Sequence, residues 1–149
     1  MSKTRPRQEP IAELKELLQS KEYKASKNWH AEKENYINNV NELLAKIKQW
    51  LKEEVSKGLI IIENKTILVN ELGEYAIQCL CLRTSNTFIT IRPIGCVVSG
   101  VDGAINIEIP WMTRTVCCMN NRWNYMTEGG FVNLTKNTFK EMLQESLTD

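Results

Sequence analysis

Near Gly58 the spacing of apolar residues changes, and no other feature of this 149-residue sequence constrains its fold as much. Up to Val55 they recur every three or four residues; from Leu59 to Tyr125 they alternate or fall in short runs. The first period matches the turn of an α-helix and the second matches the pleat of a strand. No helical segment interrupts the second stretch, so the pattern predicts an α+β chain with a mainly antiparallel sheet.

Residues 1–9 read as a flexible basic arm carrying Lys3, Arg5 and Arg7. Pro10 suits the first turn of a helix, and Ile11, Leu14, Leu17 and Leu18 give it an apolar stripe to about Tyr23. A second, longer helix is predicted from Trp29 to Lys57. In it Tyr36, Val40, Leu43, Ile47 and Trp50 are spaced by four, three, four and three residues, and Ile37, Leu44 and Leu51 widen the same face. Gly58 stands where a left-handed C-terminal cap belongs.

Seven strands are expected between residues 59 and 126. Leu59–Glu63 and Thr66–Asn70 form a hairpin around Asn64-Lys65, and a long strand follows Gly73. Further strands cover Phe88–Arg92, Ile105–Ile109, Arg114–Met119 and Arg122–Tyr125, with a bulge or bend at Pro93 and Gly95 and turns at Asp102-Gly103 and Asn120-Asn121. The Tyr75–Leu82 strand is apolar on both faces, which makes it central and asks for cover on each side. A C-terminal helix over 135–148 starts at Thr135, stapled by Leu134 and Phe139, with Met142, Leu143 and Leu147 on its buried stripe. The expected architecture is a single domain over 10–149: two N-terminal helices, the second long, and a C-terminal helix packed on one face of about seven strands.

Nineteen basic and eighteen acidic residues leave a net charge of +1, which excludes a global field for nucleic acid or an anionic membrane. The N-terminus lacks the roughly 7–15-residue apolar core of a secretory signal and no run is long enough to span a bilayer, so a cytoplasmic location without membrane attachment is expected. Five cysteines, Cys79, Cys81, Cys96, Cys117 and Cys118, are an odd number set in strand sequence, and they read as reduced thiols. They contain no Cys-x-x-Cys, and adjacent Cys117 and Cys118 must point to opposite faces, which argues against a metal site. His30 is the only histidine and the only candidate imidazole base. The carboxylates form no paired catalytic motif and the glycines no phosphate loop, so no cofactor is expected.

Association is the leading functional expectation. A 29-residue helix from Trp29 to Lys57 would span about 43 Å, and a six-residue strand about 20 Å. A helix lying along the strands would overhang, and Trp29, Tyr36 and Ile37 would then need a partner; laid across the strands, it would be covered by its own sheet. The sequence thus points to a non-catalytic interaction module of the adaptor, immunity or inhibitor kind, binding another protein or a second copy through the long helix or an open sheet face. The alternative is a single-stranded nucleic-acid binder using Arg114, Arg122, Trp123 and Tyr125. A cysteine-dependent enzyme is the third reading.

Overall fold

The computed structural model describes residues 27–97 and 101–147. The basic arm and the helix expected from Pro10 to Tyr23 lie outside these residues. The chain divides into two compact units, Met1–Asn35 and Tyr36–Asp149. Of the first unit, the described part is the opening of a helix in which Trp29 is buried and His30 exposed.

That helix, α1 (Lys27–Trp50), continues into the second unit and is followed by the five-residue α2 (Lys52–Ser56). The expected single helix to Lys57 is therefore divided at Leu51, whose backbone leaves regular helical geometry (φ −99°, ψ 10°) while its side chain is buried. Gly58 has φ +74°; its amide bonds to Val55 C=O at 3.0 Å, and the Leu59 amide bonds to Glu54 C=O at 2.9 Å. These two bonds are the Schellman ending that a glycine at this position permits.

Seven strands follow: β1 (Ile61–Asn70), β2 (Glu74–Arg83), β3 (Phe88–Gly95), β4 (Gly103–Ile109), β5 (Met112–Met119), β6 (Arg122–Thr127) and β7 (Gly130–Asn133). They form one antiparallel sheet in sequence order, and α3 (Lys136–Leu147) closes the described chain. The architecture is α+β, as the change of period implies.

The strand number agrees with expectation through two compensating differences. Asn64-Lys65 is no turn, because all ten residues of β1 pair continuously with β2. Without a glycine, this dipeptide cannot outweigh an unbroken ladder of β-prone neighbours. β7 is the strand that sequence spacing misses, since Gly129-Gly130 reads as a release from the sheet when it is in fact a tight reversal with Gly130 at φ +111°. The bulge expected near Pro93 is present as a register shift between Pro93 and Gly95. Asn120 and Asn121 both have positive φ, the conformation of a two-residue hairpin turn.

Cross-strand rows such as Leu80, Ile91 and Ile107, or Ile105, Val116, Tyr125 and Val132, present one apolar face. The stripe of α1 from Tyr36 through Val40, Leu43, Leu44 and Ile47 packs into the same core, joined by Leu51, Phe139, Met142 and Leu143. Fully burying each large side chain contributes about 1.5–3 kcal/mol before entropy. From Tyr36 onward, α1 is thus covered by its own sheet. In α3 the stripe differs at its end: Leu147 is exposed and Ser146 buried.

β2 is second from the edge and not central. Its two apolar faces have an internal cause. Tyr75, Ile77 and Cys79 are buried on one parity and Leu80 and Leu82 on the other, with the switch at the residue where pairing to β3 begins. The β1–β2 ribbon therefore turns opposite faces inward along its length. Elsewhere the outer face mixes polar pairs, Arg83–Glu63 at 2.8 Å, Arg92–Glu108 at 3.1 Å and Thr115 bonded to Asn106 at 2.8 Å, with the exposed apolar side chains of Phe88, Ile94, Met126 and Phe131.

Two polar anchors fix this core. The buried Tyr36 hydroxyl donates to Ala104 C=O (2.7 Å) and accepts the Gly95 amide (3.0 Å), while a Cβ at Gly103 would overlap the Tyr36 ring. Burial holds the phenol well above its ordinary pKa. In the β1–β2 turn, the Glu71 carboxylate accepts the Tyr75 hydroxyl (2.6 Å) and the amides of Cys96 (3.0 Å) and Val97 (2.7 Å), pinning the turn to the end of β3. Gly95 is needed there: its φ is +137° and a Cβ would meet the Glu71 carboxylate.

Tyr36→Phe keeps the ring and strands two buried backbone groups. It should cost about 1–3 kcal/mol in urea unfolding without a change in m-value. Gly103→Ala should destabilise by a similar amount, about 1–3 kcal/mol, through overpacking against the same ring.

Candidate functional site

The residues singled out by sequence are not brought together as single surfaces. Trp29 and Tyr36 are buried and Ile37 is half-buried. Trp123 and Tyr125 lie on the helix-facing side of β6, each 8% exposed, so their rings offer no stacking platform. Arg122, alternating with them, points to the opposite face and is exposed.

Arg114 lines a cleft of about 810 Å³ between the sheet and α3, beside Tyr125, Glu128, Glu141 and Glu145. Three carboxylates around one guanidinium make this cleft unfavourable for a phosphate backbone. The strand alternation of Trp123 and Tyr125 with Arg122 and Asn124 already carried the signal for their burial.

The two buried thiols are shifted away from the reactive thiolate form. Burial raises the Cys79 thiol and pushes Cys118 up to about 11, with Asp102 adding to the latter. Among the described residues, no group of three or more His, Cys, Asp or Glu is placed to hold a metal ion. No helix among them is long and apolar enough to cross a membrane.

What the described residues leave open is an edge. β1 is ten residues long and, among the described residues, has β2 as its sole neighbour. The phase of its hydrogen bonds follows from both ends of β2. At the β2–β3 turn the Thr84 amide bonds to Thr87 C=O at 2.9 Å, one rung beyond the Arg83–Phe88 pair. Bonded rungs alternate in an antiparallel ladder, so Leu82 and Leu80 bond towards β3, and Arg83, Cys81 and Cys79 towards β1. At the other end, the Glu71 amide bonds to Gly73 C=O at 2.8 Å, which gives the same phase. In β1, therefore, Ile61, Glu63, Lys65 and Ile67 bond to β2. Ile62, Asn64, Thr66 and Leu68 direct their backbone N–H and C=O groups to the open edge.

Beside that edge runs a groove of about 520 Å³ lined by Lys48, Lys52, Val55, Ser56, Ile62 and Asn64. Val55 and Ile62 give it an apolar floor. Lys48 and Lys52 stand on the helix side and form no ion pair among the described residues. Leu68 and Ile61, on the same strand, are 64% and 58% exposed. An exposed run of backbone donors and acceptors next to apolar surface is the template for adding a strand. Sequence reading missed this site because strand order is invisible in sequence; Glu63 and Lys65, charges within a β-prone run, were its local marks.

Iodoacetamide applied to the native protein should label the half-exposed Cys81 and Cys117 well before Cys79 and Cys118, read by peptide mass spectrometry. Cys118 should remain a protonated thiol through pH 9. No family model matches the sequence, and comparison with curated proteins and with solved structures found no match.

Proposed function

We propose that this chain is a non-catalytic protein-interaction module that docks an extended polypeptide segment along β1 by strand addition. The observation that carries the reading is the outward phase of Ile62, Asn64, Thr66 and Leu68 beside the Val55–Ile62 groove. A docked strand would take its main-chain bonds from these four residues. Its alternate side chains would enter the groove, where Lys48 and Lys52 favour acidic or polar groups over basic ones.

Other chemistry has weaker support. Nucleic-acid binding through Arg114, Arg122, Trp123 and Tyr125 would require two buried rings and an acid-flanked arginine to engage a polyanion. A cysteine nucleophile would require a lowered thiol pKa, and the shifts at Cys79 and Cys118 run the other way. A cytoplasmic setting, expected from sequence, accords with free thiols in strands.

The edge can be tested without disturbing the fold. Proline is tolerated where the missing N–H would face outward, so Thr66→Pro should leave the melting temperature nearly unchanged while removing a docking bond and blocking close approach. Affinity capture from the native host should retain proteins with the wild type that Thr66→Pro loses. Identical retention by both, with Thr66→Pro folded, overturns the reading.

A further inference from the structure

Resting on the strand-addition reading, we infer that the segment fitting this edge is β1 of a second copy, paired antiparallel about a two-fold axis through Asn64. Three independent properties of the strand select this arrangement.

The first is hydrogen-bond phase. A two-fold through a residue pairs that residue with itself, and the bonded rungs must come from residues whose backbone groups face outward. Asn64 meets this requirement, and its neighbours Ile62 and Thr66, also outward, then bond to Thr66 and Ile62 of the other copy. Every rung of the new ladder falls on a residue not already bonded to β2.

The second is charge. In this register Glu63 lies opposite Lys65 of the second copy, and the symmetry supplies the pair twice. These are non-bonded rungs, where side chains approach most closely. Moving the axis by one residue to Glu63 or Lys65 places like charges opposite each other, and moving it to Thr66 leaves both charges facing apolar residues. Only the axis at Asn64 joins opposite charges.

The third is apolar cover. The same register sets Ile61 opposite Ile67 and Ile60 opposite Leu68, so the two most exposed aliphatic side chains of β1 each gain an apolar partner. Paired residues share parity, so at the axis the grooves beside Ile62 and Asn64 of both copies open on the same side of the joined strands. Such an interface is isologous, as a closed dimer requires. Being built on a single strand from each copy, it should be weak and concentration-dependent.

Sedimentation equilibrium on the full chain tests the inference. Wild type should show a reversible monomer–dimer equilibrium. Glu63→Lys and Lys65→Glu, each setting like charges opposite each other twice, should weaken it by about tenfold or more, and the double reversal should restore it. Arg83→Ala breaks the internal Glu63 pair without altering the register and should leave the equilibrium unchanged. A wild type that stays monomeric at its highest soluble concentration overturns the inference, as does a double reversal no better than the single ones. Retention of host proteins that is lost with Thr66→Pro would, alongside a monomeric wild type, leave the strand-addition reading standing and the second copy rejected.

Discussion

Burial of the α1 stripe from Tyr36 to Ile47 against one face of the sheet is the interaction on which the rest of the second unit depends. A meander pairs each strand only with its sequence neighbours, so nothing in its connectivity ties distant strands together. α1 supplies that tie: the Tyr36 hydroxyl reaches both Gly95 and Ala104, and the Asn39 amide bonds to Asn121 in the β5–β6 turn. Below the stripe, Trp50 meets Phe139 with ring centroids 5.6 Å apart, and Lys140 bonds to Glu54 at 2.9 Å, which brings α3 into the same layer. Lys140 holds the Glu54 carboxyl below its usual range. The contribution of that pair is therefore present at neutral pH and is lost as pH falls through the lowered value.

The same layering accounts for the open edge. α1 and α3 cover the helix-facing side, and ion pairs and a hydroxyl–amide pair solvate part of the other. Neither device addresses the backbone groups at the rim of the sheet. At the β7 end the exposed strand is only four residues long, a short edge of the kind that resists pairing. At the β1 end it is ten residues long, and among the described residues its protection is limited to the charges of Glu63 and Lys65. Under the proposed pairing, those charges oppose registers that set like charges together and favour the one that joins Glu63 to Lys65, a filter and not simply a barrier.

How much of this was legible in the sequence depended on whether the signal was local. The four-three-four-three spacing from Tyr36 to Trp50 identifies both the helix and the residues it buries, because a helix face is set by positions within a few turns. Gly58, the Asn120-Asn121 turn and the Leu134–Phe139 staple are local in the same sense. Thr135 and Thr138 exchange side-chain bonds at the start of α3, a capping pattern that needs only four residues of sequence. The break at Leu51 was hidden because Lys52–Ser56 keeps helical composition on both sides of it. The Asn64-Lys65 turn was a local signal overruled by pairing with β2, a contact the sequence cannot display. The switch of buried parity between Cys79 and Leu80 looked like two-sided burial, since both patterns leave apolar residues at every position. Strand order, and with it the edge status of β1, depends on the whole sheet.

A sheet in which every strand lies beside its predecessor also has a kinetic character. Its rungs close short loops, which lose little chain entropy, so hairpins can grow outward from turns such as Asn120-Asn121 soon after those residues are made. The bond from Tyr36 to Ala104 instead joins positions 68 apart and cannot form until β4 exists. Until β4 exists the stripe of α1 lacks its full sheet, and until β2 exists β1 has no strand to pair with, which makes the period before β2 arrives the one in which a nascent chain is most exposed to its neighbours.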